Sequence, residues 1–250
     1  MEFPKELEKF REKLESTYKP CNEIKFVPSE TKPWESKIGG CPYLEKIEDY
    51  PKDENGNPMF FMAQINLEEM PPLEDFPTKG ILQFYIVDDD DYGLEDPCKV
   101  IYIEEYSKDE SKLLTKNPFE DKYIMEYPLF EKSGKAVFTQ NREMIGYACN
   151  GFDEIREMID EENGEEIDNL YDFCDRSGSK MGGYPHFVQN APEFYENGTA
   201  EILLLQVDTD EGEGTCEIMF GDDGNCQFMI SREDLLNKNF SNVYYDWACY

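Results

Sequence analysis

A short glycine motif that occurs twice is the feature that most constrains the fold of this chain. Residues 36–43 read S-K-I-G-G-C-P-Y and residues 179–186 read S-K-M-G-G-Y-P-H, so the second copy begins 143 residues after the first. Three further landmarks recur in the same order at offsets of 142 to 144 residues, pairing 64–66 with 206–208, 80–86 with 224–230, and 99–102 with 242–245. Constant spacing of this kind predicts an internal duplication.

The duplication predicts how the chain is organised. We expect a first repeat at about residues 19–106, a junction with helices at about 107–176, and a second repeat at about 177–250. A length of 250 residues suits one or two domains, and we expect a single compact unit over residues 1–250. The predicted class is α+β, with two similar and mainly antiparallel β-rich halves, an N-terminal helix, and acidic helices before the second half.

Hydrophobic periodicity predicts the individual elements. Residues 4–18 place Leu7, Phe10 and Leu14 on one helical face, which is predicted to pack across the first repeat. Further helices are predicted at 66–70, 152–162, 165–175 and from 231 onward. Strands are predicted at 24–27, 59–65, 80–87, 98–106, 135–139, 201–207, 215–220, 225–230 and 243–250.

The strong negative charge limits the classes of partner. The chain has 56 acidic and 24 basic residues, which gives a formal net charge of -32. Nucleic acid backbones and anionic membranes would be repelled, so neither is predicted as a partner. An acidic surface suits solubility, and it also suits a cationic protein or peptide as partner.

The cysteine pattern and the N-terminus predict a cytoplasmic protein. The chain begins M-E-F-P-K-E-L-E, without the basic start and apolar run of a signal peptide, and it has no apolar stretch of the ~18 residues that a membrane span needs. Its eight cysteines include no C-x-x-C pair and lie mostly in apolar runs. They are interpreted as small buried side chains rather than as disulfides or zinc ligands.

Glutamines interrupt otherwise apolar strands in both repeats. Gln64 corresponds to Gln206, and Gln83 corresponds to Gln227. A buried amide without partners costs roughly 1 to 3 kcal/mol, so each of these side chains needs hydrogen bonds. Either each glutamine fixes the backbone of its own glycine turn, which we favour, or the glutamines line a cleft and bind a ligand.

The glycine motifs themselves are candidates for anion binding. Their predicted ligand-binding residues are Lys37, Gly39, Gly40, Lys180, Gly182 and Gly183. Backbone N–H groups and a lysine together suit a phosphate, but the lysine precedes the glycines and neither copy matches a phosphate-binding loop. A turn-forming role is therefore favoured, since paired glycines allow positive φ and the following proline fixes the exit.

His186 is the single histidine, and it lies near Gln189 just after the second glycine motif. A general base there is conceivable because imidazole titrates near neutral pH. No nucleophile motif accompanies it, and its counterpart in the first repeat is Tyr43. No catalytic residue is predicted, although His186 and Gln189 stay in the set of candidate ligand-binding residues.

Two acidic loops are weak candidates for metal binding. Residues 88–91 with Gly93 resemble the start of a calcium loop, but the twelfth position would be Lys99 instead of a glutamate. Asp208 and Asp210, with Asp222 and Asp223 in a G-D-D-G turn, form the second group. Solvated acidic loops are the favoured interpretation, so no metal site and no cofactor are predicted.

Several motifs taken together resemble the YwqG-like family. They are S-K-x-G-G-x-P at residue 36, F-M-A-Q-I-N-L at 61, G-I-L-Q-F-Y at 80, K-x-G-G-Y-P-H at 180, L-L-L-Q-V-D at 203 and the D-x-x-C-Y ending. One departure is Tyr50-Pro51, where that family often has Trp-Pro. The resemblance implies a bacterial, cytoplasmic, duplicated α+β protein of unknown function, and it brings no catalytic residues.

Three functional hypotheses follow. The leading one is a non-enzymatic binding or interaction protein whose acidic surface faces a cationic protein or peptide, of which inhibition of a basic toxin by an immunity-like protein is one form. The alternative is a small-molecule sensor or an enzyme with a site at the junction of the repeats, near His186, Gln189, Gln64 and Gln206. A calcium-binding module, the third, needs at least three converging oxygen ligands.

Overall fold

The computed structural model describes residues 3–163 and 169–250, and it has a mixed α and β fold. In this part of the chain ten strands form one sheet in the order β10-β9-β8-β7-β1-β6-β2-β3-β4-β5, and all its pairs are antiparallel. The strands are β1 (Lys19–Pro28), β2 (Lys37–Ile38), β3 (Phe60–Asn66), β4 (Ile81–Ile86), β5 (Lys99–Ile103), β6 (Gly134–Glu143), β7 (Lys180–Gly182), β8 (Ile202–Asp208), β9 (Asn225–Ile230) and β10 (Tyr244–Ala248).

The helices are short except for one. Within the described residues they are α1 (Arg11–Glu15), α2 (Phe152–Asn163), α3 (Asn169–Phe173), α4 (Glu193–Glu196) and α5 (Arg232–Leu236). Single 3-10 turns occur at Lys5–Phe10, Ile47–Asp49, Glu110–Lys112, Glu120–Lys122 and Phe240–Asn242. The helix predicted at 152–162 is confirmed by α2, which buries Phe152, Ile155 and Ile159 as its spacing requires. Among the described residues, no helix has both the length and the apolar character needed to cross a membrane.

The long antiparallel pair β1–β6 forms the middle of the sheet. The strands on either side have the same pairing: β2–β3–β4–β5, here called the first unit, adjoins β6, and β7–β8–β9–β10, the second unit, adjoins β1. Gln64 lies opposite Gln83 in the first unit, and Gln206 lies opposite Gln227 in the second. Each unit also has a register shift at the start of its second strand, between Phe61 and Ala63 and between Leu203 and Leu205. The two units therefore present the same positions to the same faces.

The sheet curls so that the inner faces of the two units pack on one another. The rings of Phe84 and Phe228 lie 5.0 Å apart at a steep angle, and both side chains are fully buried. Beside them Cys226 Sγ lies 3.8 Å from Met62 Sδ. One hydrophobic core thus contains residues of both units.

The N-terminal segment packs on a second core, and here the prediction was wrong. Leu7, Phe10 and Leu14 are buried as predicted, but they contact residues of α2 and of the second unit, such as Phe152 and Leu203. The segment is also not one helix, because the 3-10 turn Lys5–Phe10 precedes α1. The outer face of the second unit is apolar in this region, so the helix covers it instead of the first repeat.

Two other predicted elements are absent from the described residues. Residues 66–70 form a turn, because the Asn66 side chain caps only the N–H of Glu68 and prolines follow at 71 and 72. Residues 215–220 are not a strand, since Ile218 makes only isolated bridges, to Phe130 and Asp210. The helix predicted at 165–175 lies partly outside the described residues, and α3 covers its later part.

We expect unfolding of the two units to be cooperative, because they share a core. Phe84→Leu should lower the midpoint of a single unfolding transition monitored both by circular dichroism and by tryptophan fluorescence. A double-mutant cycle with Phe228→Leu should give a coupling of about 0.5–1.5 kcal/mol, as expected for a buried aromatic pair. Two separate transitions, with Phe84→Leu affecting only one of them, would contradict this expectation.

Candidate functional site

Both glycine motifs form a tight turn that only glycine can occupy. The φ angle is 59° at Gly39, 70° at Gly182 and 69° at Gly183. A Cβ atom on Gly39 would lie 2.4 Å from a ring carbon of Phe130. A Cβ atom on Gly183 would lie 2.2 Å from Oε1 of Glu143. Backbone conformation and lack of space together exclude other residue types here.

One glutamine fixes each glycine turn through backbone hydrogen bonds. Gln64 Oε1 accepts from the N–H of Tyr43 at 2.7 Å, and its Nε2 donates to the carbonyls of residues 33 and 35 at 2.8 and 2.9 Å. Gln206 Oε1 accepts from the N–H of His186 at 2.8 Å, and its Nε2 donates to the carbonyls of residues 178 and 176 at 2.8 and 3.2 Å. Both amides are satisfied by backbone, as in the scaffold interpretation.

The second glutamine of each unit donates to the carbonyl of the residue whose N–H the first glutamine binds. Gln83 Nε2 donates to the carbonyl of Tyr43 at 2.8 Å. Gln227 Nε2 donates to the carbonyl of His186 at 2.6 Å. Tyr43 and His186 therefore have both backbone groups held by buried amides, and their side chains occupy equivalent places in the two units.

The lysines of the glycine motifs are also part of the turns. Lys37 Nζ donates to the carbonyls of Lys32 and Cys41 at 2.6 and 2.9 Å, and burial lowers its pKa to about 8. Lys180 Nζ donates to the carbonyl of Arg176 at 2.6 Å and pairs with Glu143 at 3.0 Å. Because each ammonium group is buried and bonded to its own turn, neither is directed towards a ligand.

The equivalent places have apolar packing in the first unit and polar side chains in the second. In the first unit Tyr43 packs with Ile81 and Leu113, against Trp34, Ile103 and Tyr106. In the second unit Asn225 takes the position that Ile81 has in the first, and it lies opposite Asp208. Asp246 takes the position of Ile101: it lies opposite Gln227, as Ile101 lies opposite Gln83. The same scaffold thus encloses a packed cluster in one unit and surrounds His186 with polar groups in the other.

A cavity of about 620 Å³ opens beside His186, and we call it the acidic cleft. Its lining residues are Tyr147, Tyr171, Asp172, Asp175, Ser177, Gly178, His186, Val188, Asp208, Thr209, Asp223 and Tyr250. They come from the segments before α2, in and after α3, after β7, at the end of β8, before β9 and after β10. The four aspartates give the cleft its charge, and the three tyrosines give it aromatic surface.

His186 and Asp175 form a polar contact inside the cleft. The imidazole is 6% exposed, and its Nδ1 lies 3.2 Å from Asp175 Oδ1. Burial lowers the pKa of His186, while the carboxylates of Asp175 and Asp208 oppose that shift. A neutral imidazole with its proton on Nδ1 fits this geometry, and it leaves Nε2 as an acceptor. The ring also meets Tyr147 edge to face at 5.6 Å.

Asp208 is the buried carboxylate of the cleft. It is 9% exposed and accepts hydrogen bonds from the N–H groups of Gly178 and Thr209. Burial raises its pKa, although these two hydrogen bonds and the nearby His186 act in the opposite direction. A second charge on the neighbouring Asp175 therefore makes this end of the cleft a region of concentrated negative potential.

The structure brings together only part of the predicted ligand-binding set. His186 and Asp208 line the acidic cleft, and Gln206 lies behind His186. The first glycine turn is separated from the second by strands β6 and β1 of the sheet, so Gln64 does not join them. Gln189 is exposed and donates to the carbonyl of residue 249 at 2.7 Å.

The acidic loop residues do not converge on a metal. Asp210 lines a neighbouring groove, and the carbonyl of Asp222 accepts from the N–H of Tyr250. In residues 3–163 and 169–250, no three side chains of His, Cys, Asp or Glu are grouped as a metal ion requires. Sequence reasoning missed Tyr147, Asp172 and Asp175 because they stand in the junction, which has no counterpart in the first repeat.

Loss of Gln206 should destabilise the protein far more than loss of Gln189. Gln206→Ala leaves the N–H of His186 and the carbonyl of Gly178 unpaired in a buried place, so we expect a loss of about 2–4 kcal/mol in the free energy of unfolding. Gln189→Ala is the control, and its exposed side chain should contribute less than about 0.5 kcal/mol. Denaturant unfolding of both variants measures the difference, and equal small losses would contradict the scaffold role.

Asp246 makes stability depend on pH. Burial raises its pKa to about 6, above its ordinary 3.8, so the folded state disfavours the charged form. The destabilisation caused by charging Asp246 is absent below the pKa of the unfolded state. It grows as the pH rises above that value, and it is complete above the folded-state pKa of about 6. Asp246→Asn should therefore raise the free energy of unfolding by about 1–3 kcal/mol at pH 8 and by much less at pH 4.5. The exposed Asp121→Asn is the control, and a gain independent of pH would contradict the assignment.

Comparison with known protein families assigns the chain to a family. A family described as a domain of unknown function, DUF1963, matches residues 36–249, which include both glycine turns and every residue lining the acidic cleft except Tyr250. No curated protein matches the sequence. The matched region covers most of the chain, and this protein therefore belongs to the DUF1963 family.

Proposed function

We propose that this protein is a non-enzymatic binding protein, and that its acidic cleft holds a cationic side chain of a basic protein or peptide. The observation that carries the proposal is the contrast between the units. Where Tyr43 of the first unit packs against isoleucine and leucine, His186 of the second lies in an open cleft among aspartates. The glycine-turn scaffold does not require polar groups around His186, because the apolar side chains around Tyr43 pack well on the same turn in the first unit.

The chemistry of the lining suits a guanidinium or an ammonium group. Asp172 and Asp223 are exposed, and no described residue forms an ion pair with either of them. The cleft has no lysine or arginine among its lining residues. Tyr147, Tyr171 and Tyr250 add ring faces, and a cation over such a face gains about 0.5–2 kcal/mol. Charge and aromatic surface thus favour the same class of ligand.

The hydrogen bonds of the cleft favour binding over catalysis. Ser177 lines the cleft beside the His186–Asp175 pair, but its hydroxyl donates to Asp175 Oδ2 at 3.0 Å. Nucleophile activation requires the hydroxyl to donate to the imidazole, with the carboxylate on the far side of the ring. Here the carboxylate lies between them, so Ser177 is not activated and instead helps to fix Asp175.

The proposal also covers the evolutionary origin and the cellular location of the protein. We infer that the two units arose by internal duplication, which is supported by their matching pairing, bulges and glutamine pairs. A cytoplasmic, bacterial protein related to the YwqG-like family fits the motif order and the burial of five cysteines as unbonded thiols. Neutralisation of a basic toxin in the manner of an immunity protein is one role that such a cleft suits.

The single histidine gives a direct test. We expect arginine amide to shift the imidazole NMR resonances of His186 in a saturable way, because the guanidinium enters the cleft beside it. Citrulline amide differs only by a neutral ureido group of the same shape in place of the guanidinium, and it should produce no saturable shift. The response to arginine amide should weaken as ionic strength rises, since the interaction is electrostatic.

Matched variants locate the binding. Asp175→Asn should weaken arginine amide binding at least about fivefold, the effect of losing ~1 kcal/mol from one charged contact. Glu12→Gln makes the same change in net charge at an exposed site on α1 and should leave binding unchanged. Equal binding of citrulline amide, or equal weakening by both variants, would show that the cleft does not recognise the cation.

A second candidate function has one specific observation in its favour. A cavity of about 320 Å³ lies where the units meet, with Leu73 and Phe76 from the loop after β3 and Ile202 and Leu203 from β8. Its mainly apolar lining supports a small-molecule sensor with a site at the junction of the repeats. A ligand bound there would perturb the methyl resonances of Leu203 and leave those of His186 unchanged, which separates the two proposals.

A further inference from the structure

A separate cavity of about 310 Å³ lies at the first glycine turn, with no lining residue in common with the acidic cleft. Four aromatic residues, Phe60, Phe61, Tyr123 and Phe130, line it together with Met125. We call this cavity the aromatic pocket. Tyr123, Phe130 and Met125 are only partly buried, so their surfaces are accessible from it.

The rings of the aromatic pocket are fixed in place. Phe60 lies 4.7 Å from Tyr123 and 5.6 Å from Phe130, measured between ring centroids. The Tyr123 hydroxyl accepts from Asn117 Nδ2 at 2.9 Å and from the N–H of Phe61 at 3.1 Å, and it bonds the Tyr50 hydroxyl at 2.7 Å. Because the pocket is built before any ligand arrives, binding costs little ordering entropy.

The charged side chains that line the pocket are both acidic. Glu120 and Glu131 line it and are exposed, and neither forms an ion pair with a described residue. Its lining contains no lysine or arginine. The nearby Lys132 pairs with Glu217, so its charge is already neutralised. An anionic ligand would therefore be repelled, while a cation would meet two free carboxylates.

The second glycine turn provides an internal comparison. Phe60 and Phe61 follow the first turn at the start of β3, and Ile202 and Leu203 take the same places in β8 beside the second turn. There Leu73, Phe76 and Ile202 line the cavity, and Lys19 and Arg232 line it together with carboxylates such as Glu74 and Glu201. The shared scaffold accordingly does not dictate a cluster of aromatic rings in a lining without lysine or arginine, and of the two turns only the first has this combination.

We propose that the aromatic pocket is a binding site for a small hydrophobic organic cation, of the quaternary or methylated ammonium class. Such a cation keeps its charge but has no N–H groups that need hydrogen bonds, so it loses little on entering an apolar pocket. The electron-rich faces of Phe60, Tyr123 and Phe130 attract it, and Glu120 and Glu131 balance its charge. This site is independent of the acidic cleft and of the function proposed for it.

Calorimetric titration with tetramethylammonium and with choline tests the site. We expect both to bind, and we expect 3,3-dimethylbutan-1-ol, the uncharged analogue of choline, to bind at least about tenfold more weakly. Nuclear Overhauser contacts should connect the ligand methyl protons with the ring protons of Phe60 and Phe130. Binding of the alcohol as tight as that of choline, or no binding of either cation, would overturn the proposal.

Variants assign the effect to the pocket. Phe130→Leu keeps apolar bulk over Gly39 and removes one ring face, so choline affinity should fall about fivefold or more. Glu131→Gln changes an exposed side chain, preserves folding, and should also weaken choline binding. Glu201→Gln at the second turn and Asp175→Asn in the acidic cleft are the matched controls. Loss of choline binding in either control, with unchanged binding in both pocket variants, would place the cation elsewhere and refute the assignment.

Discussion

The hydrogen bonds between a buried glutamine and a glycine turn are the interactions on which this structure depends. Two glycines at positive φ leave the turn without side chains of its own to fix it. Gln64 and Gln206 supply that fixation from the adjacent strand, and they are fully satisfied in doing so. The turn, the strand and the residue that follows the turn are thereby locked together, which is why Tyr43 and His186 are positioned so similarly.

With the backbone fixed, the two units can differ in what they enclose. The first unit fills the space beside Tyr43 with apolar side chains. It also contains the aromatic pocket, which Gly39 and Gly40 of its glycine turn help to line. The second unit places His186 beside carboxylates and leaves a cleft. The two units therefore differ in the side chains that surround Tyr43 and His186, and they do not differ in fold.

The sequence was a good guide wherever local pattern decides the outcome. Strands β3, β4, β8 and β9 are apolar runs interrupted by one glutamine, and they were found at nearly their true bounds. The helix predicted at 66–70 is wrong because prolines follow at 71 and 72, although Asn66 Oδ1 accepts from the N–H of Glu68 as an N-cap side chain does. The acidic cleft was largely missed, since Asp172, Asp175 and Tyr250 come from distant segments that only the folded sheet brings together.

The carboxylates of the second unit carry a cost that packing alone does not explain. Burial raises the pKa of both Asp208 and Asp246, so the folded state disfavours the charged form of each carboxyl group. The equivalent positions of the first unit, Asn66 and Ile101, avoid this cost on the same scaffold. Of the two, only Asp208 lines the acidic cleft, where a ligand of opposite charge would recover part of the electrostatic energy that its burial costs. Under the proposed function, the second unit is the part of the molecule that gives up stability for a binding site.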